Sequence, residues 1–424
     1  MERAIELASR GIGAVNPNPL VGAVIVKDDC IMGEGYHAKY GELHAERQAI
    51  ADAIKRGNNI YGAEMYVTLE PCSHTGKQPP CVEAIIDAGI KRVYVGSNDP
   101  NPLVAGNGIW ALRQAGVEVV TGCMKEECDK LNYVFFHFIT KKVPYVIYKY
   151  AMTMDGKICT ETGESQWISN ESSRNIVQAY RNEFSAIMVG IGTVLNDDPS
   201  LLCHLNDKPV KAEGEKNEES ENDSKETEFD PEMELIDGSG INSSESANES
   251  SEEDSVIGDS KQMYRNPIRI ILDSELRIPL DSKIVQTADK ARTYIASLAE
   301  NEKQNREKIR ELKNLGIGTL LIPADETGKI GLDKLMLQLG KMNIDGVLLE
   351  GGGTLAWSMI SKGYVDEVRA FIAPKIFGGA NAKTPVAGEG IQSIDMAKYF
   401  ELKDLENIDG DIFARYIKQE NHTV

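Results

Sequence analysis

Short apolar runs rich in β-branched residues alternate along the chain with stretches whose apolar positions recur every three or four residues. The runs "LVGAVIV" (20–26), "EMYVTLE" (64–70), "RVYVGS" (92–97) and "VEVVTG" (117–122) predict strands. Between them "AERQAIADAIKRG" (45–57), "CVEAIIDAGI" (81–90) and "GIWALRQAG" (108–116) predict helices, and the opening "MERAIELASR" is helix-patterned too. A second alternating series runs through "YVIYKYAMTMDGKI" (145–158), "IRIILDS" (268–274), "TLLIP" (319–323), "DGVLLEGGG" (345–353) and "EVRAFIAPKI" (367–376). Strands interleaved with helices predict α/β layers in both halves. The boundary is expected near "KKVP" (141–144), which gives domains of 1–143 and 144–424; a length of 424 residues with 41% apolar content suits two cores.

One stretch breaks the pattern. Residues 211–260 hold 18 acidic and 3 basic side chains, so they carry −15 of the net charge of −20. They are rich in Ser, Asn and Gly and nearly empty of aromatics, and cannot bury enough apolar surface to offset the entropy of ordering. About 205–262 is therefore expected to be a disordered insertion within the second domain, a solvated loop extension before an acidic interaction arm. Neither half offers the basic face that nucleic acid requires. No apolar run reaches the length of about 18 residues needed for a membrane span, and no secretory segment follows the charged opening. A cytoplasmic protein without membrane partners is expected. Its seven cysteines (30, 72, 81, 123, 128, 159, 203) are too sparse for a disulfide framework and read as reduced thiols, some of them metal ligands.

The candidate chemistry lies in "GELHAERQAI" (41–50) and "VTLEPCSHTGKQPPCVEAI" (67–85). His44 and Glu46 open a helix whose Ala45, Ala49, Ala53, Ile50 and Ile54 are apolar at helical spacing. A zinc deaminase uses one histidine and two cysteines as ligands, with an unligated glutamate moving protons. His44, Cys72 and Cys81 fill the first roles and Glu46 the last. The usual pattern places both cysteines in one helical turn, as P-C-x-x-C; here they are nine apart. Pro79 and Pro80 supply a loop that delivers Cys81 to the start of the next helix, where a thiolate is favoured. A closed structural site is the alternative, with His74 as a fourth ligand. Zinc in an open site brings the pKa of bound water from about 15.7 toward 7, and Glu46 would carry its proton to the ring nitrogen and the departing amine.

Together with "NPNPLVGAVIV" (16–26) and "NDPNPLVAGNGI" (98–109), these stretches resemble the bifunctional riboflavin-biosynthesis deaminase–reductases. The resemblance implies a cytidine-deaminase-like sandwich and a diaminopyrimidinone substrate carrying ribose 5-phosphate, lined by Asn18, His37, His74, Lys77, Asp99 and Asn101. The second half resembles the family's dihydrofolate-reductase-like domain in "KYAMTMDGKI" (149–158), "TGESQWIS" (162–169), "VGIGTVLNDDPSL" (189–201), "ILDS" (271–274) and "LEGGGTLAWS" (349–358). That implies NADPH contacts at Ala151, Trp167, Thr193, Asp197, Ser274, Gly352, Gly353, Thr354, Leu355, Ala356, Trp357 and Ser358. It also implies substrate contacts at Ser165, Arg181, Leu201 and Glu350. Lys149, Asp155 and Glu350 are polar candidates for orienting the opened sugar, although Asp155–Gly156 also suits a turn and Lys149 an edge strand. His204 stands where the family usually carries a phosphate-holding arginine. An imidazole is only partly charged at neutral pH, so phosphate affinity is expected to depend on pH.

By physics alone, Gly351 to Gly353 suit either a phosphate cradle or a plain tight turn. A deaminase with a degenerate second half is the alternative function, and a zinc-stabilised binding module a further one. Relatives form symmetric assemblies, so a dimer or tetramer is expected. Trp110 and Trp357 read as core, His137 as a helix residue packed between domains, and Cys123 and Cys128 as thiols without a role.

Overall fold

The structure is a computed structural model that describes residues 1–73, 79–101, 104–205 and 264–419. His74, Lys77 and all but the first residue of the expected 205–262 insertion lie outside the described residues.

The first half is a five-stranded mixed sheet between two helical layers. Its elements are α1 (Glu2–Ser9), β1 (Gly22–Lys27), β2 (Cys30–Tyr36), α2 (Ala45–Lys55), β3 (Glu64–Leu69), α3 (Cys81–Asp87), β4 (Arg92–Ser97), α4 (Asn107–Gln114), β5 (Glu118–Thr121), α5 (Lys125–Leu131) and α6 (Tyr133–Lys141). The strand order is β2-β1-β3-β4-β5; β1 runs antiparallel to both neighbours, and β3, β4 and β5 run parallel. Alternation along β1 sorts the two faces. Val24 packs with Ala4 and Leu7 of α1, whereas Ala23 and Ile25 face the larger core that takes in Ala45, Ala49 and Ala53 of α2, Ile85 of α3 and Leu112 of α4. Ile25, Met65 and Ile85 are fully buried, and each contributes about 1.5–3 kcal/mol by leaving water.

Sequence periodicity did not reveal β2, because its "CIMGEGY" lacks an apolar run. The reason is steric. A Cβ on Gly33 would collide with Ala49 O, and one on Gly35 with Ala45 O and Ala49 N, so α2 lies directly on the β2 backbone.

The second half is a nine-stranded sheet. It comprises β6 (Tyr145–Thr153), α7 (Glu171–Glu183), β7 (Ala186–Gly190), α8 (Ile191–Asp197), β8 (Ile268–Leu272), α9 (Lys283–Gln286), β9 (Thr293–Leu298), α10 (Asn301–Gln304), α11 (Arg306–Asn314), β10 (Gly318–Ile322), α12 (Leu332–Lys341), β11 (Gly346–Gly351), α13 (Gly353–Ser361), β12 (Glu367–Ala373), β13 (Phe400–Ile408) and β14 (Asp411–Lys418). The order is β10-β9-β8-β7-β11-β6-β12-β14-β13, parallel from β10 to β12 and closed by the antiparallel β14–β13 hairpin. Met188 and Ile270 face α12 and α13, while Ile187, Val189 and Ile271 face the side of α9 and α11. Coverage on both faces explains why these strands read as unbroken apolar runs.

The halves meet through α6. Tyr133 Oη lies 3.1 Å from Arg369 Nη2 on β12, and Asn16 Nδ2 donates to Asp345 Oδ2 at 3.0 Å. His137 packs edge-on against Tyr145, as expected of a residue between domains. Trp110 corrects the sequence reading: it is 65% exposed, not core.

Burial holds the His137 imidazole down to about 4 from an ordinary 6.5, with Lys141 and Lys418 adding to the effect. Asp366 Oδ1 is 3.7 Å away, too far for a hydrogen bond that would reverse this. Between those two pH values the unfolded chain binds a proton that the folded chain does not, so stability falls as pH falls through this window. His137→Phe is expected to reduce the loss of unfolding free energy between pH 7 and pH 5 by about 2 kcal/mol. Urea titrations at the two pH values check this; an unchanged difference refutes it.

Candidate metal centre and nucleotide cleft

The metal centre is assembled by two helix starts and one strand end. His44 is the extended residue immediately before α2, which places Glu46 in the first turn. Pro80 precedes α3 in the same way and makes Cys81 its first residue. Arg47 of α2 donates to Pro79 O at 3.2 Å and Pro80 O at 2.8 Å, tying the proline loop to the histidine's helix. Cys72 follows the end of β3, and its Sγ accepts from Cys81 N at 3.4 Å.

His44 Nδ1 is 3.5 Å from Cys72 Sγ and 3.4 Å from Cys81 Sγ, and all three donor atoms lie within 4.8 Å of one another. Hydrogen bonding by Cys81 and His44 pulls Cys72 well below the ordinary thiol range despite its burial, which favours its thiolate. The same contact with Cys72, together with burial, pushes Cys81 up. One imidazole nitrogen and two sulfurs fit zinc. Among the described residues no fourth His, Cys, Asp or Glu joins the group; His74, the fourth ligand of the closed alternative, lies outside the described residues.

A cavity of about 310 Å³ opens beside the centre, lined by Glu46, Asn18, His37, Asp99 and Asn101 as the sequence anticipated. Glu46 is 3% exposed, and burial lifts its carboxyl to about 7, the neighbouring Cys72 charge adding to the rise. Near neutral pH it can both take and release a proton. His37 Nδ1 lies 3.2 Å from Leu43 O, an arrangement in which only a protonated Nδ1 makes a hydrogen bond; Nε2 then accepts from Asn18 Nδ2 at 3.2 Å. Burial lowers the His37 pKa, which keeps this neutral tautomer. Phe135, Ile139 and Glu70 are among the wall residues that sequence reasoning missed. The spacing of Phe135 and Ile139, four apart on α6, was the one available signal.

In the second half the expected residues gather at the C-terminal ends of the parallel strands, where open α/β sheets bind ligands. Gly351 (φ 152°) and Gly352 (φ 82°) turn β11 into α13 with conformations that side chains rarely adopt, and Thr193 Oγ1 lies beside both. No side chain caps α13 among the described residues, so its first backbone N–H groups suit a phosphate of NADPH. Asp197 accepts from Ser165 Oγ at 3.2 Å, Arg174 stacks 4.7 Å over the Trp167 ring, and Ser274 O accepts from Asn301 Nδ2 at 2.6 Å. Ala151 lies on β6, and Thr354, Leu355, Ala356, Trp357 and Ser358 on α13.

Arg181 holds Glu350 with two hydrogen bonds of 2.9 and 2.7 Å and donates to Leu202 O at 3.0 Å, next to Leu201. Burial would raise the Glu350 carboxyl, but Arg181 and Lys149 more than offset it. Lys149 is not an edge residue: β6 lies between β11 and β12, and burial lowers its pKa beside Glu350. Asp155 ties its own turn to the loop that follows β12. It accepts from Thr153 Oγ1 at 2.5 Å, Phe377 N at 3.2 Å and Gly378 N at 2.7 Å. His204 is exposed, its Nε2 3.3 Å from Ser200 Oγ.

Comparison with known proteins covers both halves. Residues 1–97 match the cytidine and deoxycytidylate deaminase zinc-binding region, and residues 144–414 match the RibD C-terminal domain. The riboflavin biosynthesis protein RibD of Actinobacillus pleuropneumoniae is 45% identical over 98% of this chain and 94% of its own length. Its Escherichia coli counterpart is 36% identical over 97% and 96%. Among solved structures, an Acinetobacter baumannii RibD is 32% identical with a TM-score of 0.76, covering 99% of this chain and 98% of its own. A Thermotoga maritima diaminohydroxyphosphoribosylaminopyrimidine deaminase / 5-amino-6-(5-phosphoribosylamino)uracil reductase is 33% identical with a TM-score of 0.75, covering 99% and 97%.

Proposed function

The chain belongs to the RibD family of riboflavin-biosynthesis enzymes, and from that premise we propose that it deaminates 2,5-diamino-6-ribosylamino-4(3H)-pyrimidinone 5′-phosphate and then reduces the ribosyl group to ribityl. It is a zinc-dependent deaminase and an NADPH-dependent reductase in one polypeptide. We assign the first reaction to residues 1–143 and the second to residues 144–424. One observation carries the reading: a three-donor centre and a buried, near-neutral glutamate share one cavity.

His44, Cys72 and Cys81 would hold zinc, which supplies a Lewis acid that makes water acidic enough to attack at neutral pH. Glu46 takes one proton from the attacking water and gives it to the ring nitrogen, then takes the second from the hydroxyl now on the ring carbon and gives it to the amine, which leaves as ammonia as the C–N bond breaks. His37, fixed as the Nδ1–H tautomer, engages one amide N–H of Asn18 and so orients that side chain toward the pyrimidine. In the second half the backbone N–H groups at the start of α13 would hold a phosphate of NADPH, which supplies the hydride. Lys149 and Glu350 would orient the opened sugar, with Arg181 keeping Glu350 ionised.

Incubation with the diaminopyrimidinone phosphate tests both steps. Ammonia is expected without NADPH, and NADPH absorbance should fall only once the deaminated product has formed. Absence of ammonia refutes the first assignment; ammonia with NADPH left untouched identifies a deaminase with a degenerate second half. We expect a homo-oligomer, dimer or tetramer. Leu402 and Leu405, exposed on the edge strand β13, offer apolar side chains for it. We also place the protein in the cytoplasm; among the described residues no helix is long and apolar enough to cross a membrane.

A further inference from the structure

Glu70 follows the last residue of β3, two positions before Cys72, and is 4% exposed. Its carboxylate has no ion-pair partner among its described hydrogen bonds. Instead, Oε1 accepts from Gly108 N at 3.0 Å and Ile109 N at 3.3 Å, and Oε2 from Gly106 N at 3.1 Å and Asp99 N at 3.4 Å. Three of these donors lie at the start of α4, where amide groups lack helical partners and the dipole favours an anion. The fourth belongs to Asp99, just past β4, whose Oδ1 accepts from Asn101 N at 2.8 Å.

One side chain therefore closes the loop between β4 and α4 at both ends, and Asp99 and Asn101 on that loop line the deaminase cavity. The fit is tight: a Cβ on Gly108 would collide with Pro71 O, the residue between Glu70 and Cys72. A carboxylate offers about four lone-pair directions, and four backbone N–H groups occupy them. No acceptor capacity remains for a substrate, so Glu70 acts through the residues it holds.

We propose that Glu70 is a positioning residue for the pyrimidine phosphate: it sets the placement of the Asp99–Asn101 wall relative to the metal ligands and thereby governs substrate affinity. This rests on the deaminase reading of the cavity. Glutamine at this position retains the shape but turns an –NH2 toward backbone donors, losing two acceptor bonds. Aspartate retains the acceptors and shortens the reach.

The test follows ammonia release in the unsubstituted protein, Glu70→Gln and Glu70→Asp, with zinc content and NADPH-dependent reduction of supplied deaminated substrate measured on the same samples. In Glu70→Gln, KM is expected to rise about tenfold or more, with kcat changed less than KM. Zinc content and reduction should match the unsubstituted protein, and Glu70→Asp should show a smaller rise. An unaltered KM in Glu70→Gln overturns the proposal, as does a loss of zinc that accounts for the lost activity. If Glu70→Gln does not yield folded protein, an unsubstituted-like KM in Glu70→Asp overturns it equally. Failure of the unsubstituted protein to release ammonia would instead overturn the deaminase reading itself.

Discussion

Exchanging Glu46 for glutamine is expected to lower kcat for ammonia release by about 10²- to 10⁴-fold, while zinc content stays that of the unsubstituted protein. The amide matches the carboxylate in size and retains one acceptor oxygen, so the 3%-exposed site need not repack. It cannot, however, accept a proton from water and deliver it to the leaving amine. Glu46 is no part of the three-donor group, so metal retention and turnover should separate cleanly. Reduction of separately supplied deaminated substrate should be unaffected. Ammonia release at an unsubstituted rate would remove Glu46 from the mechanism; loss of zinc would make it a structural residue.

The largest effect on stability is expected at Arg269 of β8, which is completely buried. Its Nε donates to Thr293 Oγ1, Nη1 to Ser200 O and Thr287 Oγ1, and Nη2 to the carbonyls of Ile284, Thr287 and Ala291, at 2.8 to 3.2 Å. Burial lowers its pKa to about 10, with Asp289 acting in the opposite sense, so the guanidinium stays charged at neutral pH. Arg269→Met keeps the length and apolar stem but strands these acceptors without donors. The cost is expected to be about 3–5 kcal/mol, a fall in Tm of roughly 10 °C. Thermal unfolding followed by circular dichroism measures it, and a change below about 2 °C would mean that water replaces the guanidinium. Ser200 precedes Leu201, so reduction should also weaken more than deamination.

Legibility from sequence followed the physics of each element. The doubly covered strands β6, β8 and β11 and the helix α2 were visible because burial demands apolar residues at a fixed period. The β13–β14 hairpin was not, because "FELKDLENI" lies at a sheet edge with most side chains exposed. The His44–Cys72–Cys81 cluster and Glu46 were legible because their residue types and local spacing suit that chemistry. Asp155 shows the limit: an acidic residue near a cleft reads the same whether it meets substrate or, as its hydrogen bonds show, ties two loops together. Glu70, inside "VTLEPCSHTGKQPPCVEAI", shows no role in sequence, since its partners lie 29 to 39 positions away. Only the folded chain brings them to it.

The bare β2 backbone beneath α2 has a bearing on how this enzyme tolerates change. His44 and Glu46 ride on a helix whose height above the sheet is set by two missing methyl groups, at Gly33 and Gly35. A side chain on either would wedge the helix outward and drag His44 and Glu46 away from Cys72, which follows β3. The assigned centre would thus hinge on two positions that bear no side chain at all, and whose importance no inventory of polar groups would disclose.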